Sequence, residues 1–171
     1  MASAYTAFAN KGVRVQPRFV TKIVDANGKV VVDNTAVKEN RVTTEEVAKK
    51  MTSMLLTVYG SEGLGAPFSP AGKTIAGKTG TTEAINNDNG SRDQWMIGYT
   101  PDVVVATWMG YDQSGNYSLS ASSREGVGPL FKLEMEGLLQ FTANTPFNVE
   151  AVKTKQNNQN NNTNNGVDQF I

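Results

Sequence analysis

The chain has 171 residues, with 16 Lys+Arg against 16 Asp+Glu and neither histidine nor cysteine. That length suits one domain with a real core, and balanced charge without a basic block argues against nucleic acid as a partner. Lacking His and Cys, the chain can build no Ser-His-Asp or Cys-His nucleophile, no His-containing zinc site and no thiolate chemistry; proton transfer falls to Lys, Tyr, Asp or Glu.

No run approaches the roughly 18 apolar residues of a membrane span, and no basic-then-apolar signal opens the sequence. Met1, Tyr5 and Phe8 recur at i, i+4, i+7 with small Ala2, Ala4 and Ala7 between them. This spacing predicts a short amphipathic helix closed near Gly12. A helix at residue 1 suggests a cut edge inside a larger domain; an ordinary start Met is the alternative. Residues 18–24 and 29–32 flank Asp25-Ala26-Asn27-Gly28, a β-hairpin pattern with Gly28 supplying the positive φ. Thr43 and Glu46 read as a capping box. Val47, Met51, Met54, Leu55 and Val58 follow at helical spacing up to Gly60, and the Met residues on that face are expected in the core.

A Gly/Pro-rich loop over 61–70 leads to Thr74-Ile75-Ala76 and then Gly77-Lys78-Thr79-Gly80-Thr81. Two readings compete there. Residues 72–79 fit G-x-x-x-x-G-K-[ST], a phosphate-binding loop. That loop needs a buried strand before its first Gly and a helix starting at its Lys-Thr, whereas loop residues precede it and turn formers follow it. The other reading is a strand edge carrying a cation, two hydroxyls and two glycines, equipment for holding a carboxylate beside an acyl-transfer centre.

After a polar loop over 83–92, residues 94–99 and 103–111 read as strands turned at Thr100-Pro101-Asp102. With the Lys78 strand they make an antiparallel meander. Trp95 and Trp108 are expected to be sheet packing, and Glu83, Asp88 and Asp93 to be solvated loop carboxylates. Phe131, Met135, Leu138 and Leu139 predict a last helix, with Pro129 in its first turn, packed across the sheet. The ordered domain is expected to span 1–152. From Lys153 onward Asn dominates, and 153–171 read as a disordered low-complexity tail.

The motif series resembles the later half of the transpeptidase domain of penicillin-binding proteins. Residues 1–13 are similar to the segment preceding the hairpin in that family. Ala76-Gly77-Lys78-Thr79-Gly80-Thr81-Thr82 resembles its third signature motif. Asp93-Gln94-Trp95, Gly98-Tyr99-Thr100-Pro101-Asp102 and Trp108-Met109-Gly110-Tyr111-Asp112 look most like bifunctional class A members.

The resemblance implies an α/β fold of the serine β-lactamase and D,D-peptidase kind, an antiparallel sheet flanked by helices, with only its C-terminal portion present. It implies a serine D,D-transpeptidase that cross-links peptidoglycan stem peptides ending in D-Ala-D-Ala and is acylated by β-lactams, with no cofactor and no metal. The family joins S-x-x-K, which carries the nucleophile, to S-x-N and K-T-G. Carried over, Lys78 supplies positive charge beside the nucleophile, the Thr79 and Thr81 hydroxyls hold a carboxylate, Gly80 admits the acyl donor, and the Thr81 N–H forms half of an oxyanion hole.

One departure matters. No S-x-x-K occurs in the 171 residues, and Ser114-Gly115-Asn116 fits S-x-N only after Lys78, where the family places it before. We read it as a chance match in a surface loop. The nucleophile is therefore expected upstream, in a half of the same domain that is the partner of this chain. That half would supply further strands, leaving here an unpaired edge and an uncovered apolar face. The chain alone is expected to be inactive, and its parent to sit on the extracytoplasmic face of a bacterial membrane, anchored upstream. Three rivals remain: a D,D-carboxypeptidase or β-lactamase of the same fold, a non-catalytic wall-binding module, and the nucleotide-binding protein. The glycosylation patterns at Asn89, Asn116 and Asn161 carry no meaning in a bacterial wall enzyme.

Overall fold

A computed structural model describes residues 1–84, 90–113 and 117–152. In chain order it runs α1 (Ala2–Ala9), β1 (Val13–Val15), β2 (Lys22–Val24), β3 (Val30–Asp33), β4 (Glu39–Arg41), α2 (Glu45–Leu55), β5 (Ala76–Glu83), β6 (Ser91–Tyr99), β7 (Val104–Gly110) and α3 (Val127–Leu139). The fold is mixed α/β with antiparallel sheets.

The central sheet has the order β5-β6-β7, the expected meander, with β5 at one edge. Lys78 stands opposite Ile97, Gly80 opposite Trp95 and Thr81 opposite Gln94. Helix α3 crosses one face. Its Val127, Phe131, Met135 and Leu139 are buried against Ile75, Met96 and Val105, with Tyr59 stacked on Phe131 at 5.5 Å. Each such side chain contributes about 1.5–3 kcal/mol by leaving water. Pro129 falls in the first turn of α3, and Leu138 points outward rather than into the core.

Among the described residues, the opposite face is covered over one half only. Leu55 and Leu56 bury Ala76 and Tyr99, with Tyr5 and Phe8 of α1 beside them. Thr52 Oγ1 lies 2.9 Å from the Tyr99 hydroxyl, a buried bond that joins α2 to β6. Residues 142–152 return across this region. There Phe147 meets Tyr99 edge-on, Thr145 bonds Asp102, and the Val152 N–H donates to the Ser53 carbonyl at 3.1 Å.

Several sequence expectations are corrected. The hairpin forms with Gly28 at φ 81°, but its strands are only β2 and β3; residues 18–21 are not strand. Strands β1 and β4 pair with each other, and β4 was not foreseen. Thr44, not Thr43, caps α2, accepting from Val47 N–H at 3.2 Å, while Glu46 turns to Lys50 rather than back to the cap. The buried face of α2 and the following 3-10 turn is Ala48, Thr52, Leu55, Leu56 and Tyr59. Val47 and Met54 are 45% and 49% exposed, so Met54 is not core packing. Asp93 belongs to β6 rather than to a loop.

Asp88, residues 114–116 and the tail 153–171 lie outside the described residues, as do Asn89, Asn116 and Asn161. Among the described residues no helix is long and apolar enough to cross a membrane.

Candidate active site

Side chains alternate along a strand, and on β5 that alternation divides the chemistry. Lys78, Gly80 and Thr82 share one face with Ile97, Trp95 and Asp93; Thr79 and Thr81 look to the other. Lys78 is exposed, and its Nζ donates to the Thr79 carbonyl at 2.7 Å. Thr82 Oγ1 donates to the Asp93 carboxylate at 3.0 Å and accepts from the Asp93 N–H. Asp93 also accepts from the Trp108 indole N–H at 3.0 Å, so it organises the sheet surface.

Trp95 and Trp108 pack on each other across β6 and β7, with ring centroids 6.1 Å apart. They remain half-open to solvent, as do Lys78 and Gly80 beside them. Among the described residues, nothing covers this half of the sheet. Its lower half is closed by α1 and α2, while the half bearing the lysine is not.

On the other face, Thr81 Oγ1 lies 2.9 Å from Ser123 Oγ. Ser123 is carried by the loop that leads into α3. That loop is fixed by Gln94, which is 1% exposed and sits opposite Thr81 in the ladder. Gln94 Nε2 donates to Ser91 Oγ at 2.9 Å and to the Ala121 carbonyl at 2.7 Å, and its Oε1 accepts from Val127 N–H at 3.4 Å. Sequence reasoning missed Ser123, and it gave Gln94 a place in the Asp93-Gln94-Trp95 run but no role.

The phosphate-loop alternative fails on geometry. Residues 76–83 are one strand, and Lys78 sits inside it rather than at the start of a helix. What remains is an edge strand with Lys and Thr on opposite faces, in a helix-flanked antiparallel sheet. The profile of the penicillin-binding protein transpeptidase domain matches residues 1–132.

The chain belongs to the penicillin-binding protein transpeptidase family.

Penicillin-binding protein 2a of Streptococcus pneumoniae is 41% identical over 151 residues, which cover 88% of this chain and 20% of that protein. Penicillin-binding protein 1A of Rickettsia prowazekii is 34% identical over 171 residues, covering 87% of this chain and 21% of the relative. The chain thus spans about a fifth of these curated relatives. Among solved structures, the penicillin-binding protein PonA1 of Mycobacterium tuberculosis superposes with a TM-score of 0.70 at 31% identity, covering 90% of this chain and 43% of that one. PonA1 in complex with penicillin V gives 0.68 at 32% identity, over 86% and 40% of the two chains. Within a transpeptidase domain, the Lys78-Thr79-Gly80-Thr81 run stands where the sequence placed it, on an accessible strand edge.

Proposed function

We propose that these residues form part of a serine D,D-transpeptidase of class A, its C-terminal portion, with the catalytic serine outside the 171 residues. The observation that carries this reading is the Lys78-Thr79-Gly80-Thr81 run on an edge strand, in a chain of this family and without S-x-x-K. The serine hydroxyl attacks the carbonyl of the D-Ala-D-Ala peptide bond, D-Ala departs, and the acyl group passes to the amine of a neighbouring stem. A β-lactam acylates the same serine by opening its ring.

In this reading Lys78 supplies the positive charge that favours deprotonation of the nucleophile without histidine. The Thr79 and Thr81 hydroxyls hold the ligand's carboxylate. Gly80 leaves room for the acyl donor. On an edge strand alternate N–H groups lack a ladder partner, and the Thr81 N–H is assigned to stabilise the developing oxyanion.

The partner is the other half of the same domain. The half-open surface of Lys78, Gly80, Trp95 and Trp108 is where it packs, bringing the serine to the lysine. The chain alone is inactive. Its parent works at the extracytoplasmic face of a bacterial membrane, and residues 1–152 are the part of this chain that belongs to the transpeptidase domain. A carboxypeptidase or β-lactamase would use water in place of the stem amine.

The test is intact-mass spectrometry of the full-length parent with benzylpenicillin, followed by peptide mapping. The expected result is one drug mass on a serine outside these 171 residues. An adduct on a residue of this chain, or no adduct on a folded protein, would sink the proposal; the second outcome favours a non-catalytic module.

A further inference from the structure

The Thr81–Ser123 contact joins two hydroxyls 42 residues apart, at the edge of the strand that carries the lysine. Two hydroxyls share two protons, and one is consumed in the bond between them. Whichever donates, the pair presents a single outward proton, at a place set by both side chains. Left alone, the Thr81 hydroxyl would rotate freely and be satisfied by water, because Thr81 is exposed. The contact is therefore not required to satisfy a buried group. What it changes is direction.

The support behind Ser123 is disproportionate for a surface loop. A buried amide is costly unless its bonds are made. Gln94 makes three, two of them to the loop and to the first residue of α3. Ser91 adds both backbone bonds to Leu119, at 3.0 and 2.6 Å. Beyond the turn, the Ser122 N–H and hydroxyl donate to the Glu125 carboxylate, and the Gly128 N–H donates to the Ser123 carbonyl at 2.9 Å. Ser123 is thus fixed on both sides, and its hydroxyl meets the one β5 threonine assigned both a carboxylate contact and an oxyanion N–H.

We infer that Ser123 is a positioning residue for carboxylate recognition: it holds the Thr81 hydroxyl so that one proton of the pair faces the ligand's carboxylate. The inference rests on the transpeptidase reading above and deepens it. Ser123 does not take part in acyl transfer, so its removal acts on recognition and leaves the chemical step alone.

The experiment measures acylation of the full-length parent by benzylpenicillin and by benzylpenicillin methyl ester, which lacks the carboxylate charge. In Ser123→Ala the half-saturating concentration of benzylpenicillin is expected to rise about tenfold, the loss of one aligned bond to a charged group. The limiting acylation rate and the ester reaction stay unchanged, so the preference for acid over ester falls by the same factor. Ser123→Thr, which keeps the hydroxyl, restores the preference. An unchanged preference in Ser123→Ala overturns the inference, as does an equal loss with both probes or a failure of Ser123→Thr to rescue. If the unmutated parent is not acylated at all, the transpeptidase reading fails and this one with it; normal acylation with an unaltered preference removes the inference alone.

Discussion

At Gly77 a Cβ would fall 1.9 Å from the Ile97 carbonyl oxygen and 2.8 Å from the Tyr59 ring. At Gly80 the nearest neighbour would be Trp95 Cβ at 3.6 Å, an ordinary contact. The two glycines of the same motif therefore answer to different demands. Gly77 is required by the sheet, whereas nothing among the described residues requires Gly80. Gly77→Ala is expected to destabilise the full-length parent by about 1–3 kcal/mol, since backbone must shift to admit the methyl. Gly80→Ala should stay within about 0.5 kcal/mol, as for other substitutions that meet no obstacle, yet slow acylation by penicillin. Denaturant unfolding and acylation rates of both variants check this; equal losses of stability would remove the distinction. The motif itself was legible because its residues are adjacent. Ser123 and the role of Gln94 were not, because contacts across 27 to 42 residues leave no periodic trace.

At the scale of elements, α2 shows how a polar residue can take an apolar place. Thr52 is buried because the Tyr99 hydroxyl satisfies it, while burial pushes the Tyr99 phenol up to about 12. The helix consequently turns Ala48, Thr52 and Leu55 inward and leaves Val47 and Met54 outside. A count of apolar residues selects the wrong face here, since the hydroxyl pair lies in two distant elements. Thr52→Val keeps the shape but strands the Tyr99 hydroxyl, with an expected cost of about 1–3 kcal/mol. Met54→Gln should cost no more than about 0.5 kcal/mol. Urea unfolding of the two variants in the full-length parent decides between this face and the apolar one. The strands of the meander and α3 were read correctly in kind, since each has its own periodic core face. The short β1–β4 pair escaped because three-residue strands carry too little pattern to register.

Across the whole molecule, residues 142–152 tie the end of the described chain to two distant places, the turn after β6 and α2. The Asp102 carboxylate accepts the Thr145 hydroxyl and N–H, at 2.6 and 2.7 Å, and these bonds hold its carboxyl below the usual range. A lowered folded value means that the tie is complete above the ordinary Asp value of about 3.9 and is lost as pH falls through the folded value. Hydrogen exchange at the Thr145 amide should therefore be slow at neutral pH and lose its protection in acid; Asp102→Asn should exchange faster at neutral pH. An equally protected variant would show that the carboxylate is not the latch. By contrast, the β2–β3 hairpin makes at most marginal contact with the other elements, and Phe19 at its base is 98% exposed. Its turn is closed locally, with Asp25 accepting the Asn27 and Lys29 N–H groups, and the core clusters include none of its residues. The chain can accordingly be lengthened at Asn27-Gly28 at little more than the entropy of a longer loop, which makes that turn the natural place to insert a label without touching the sheet that holds Lys78.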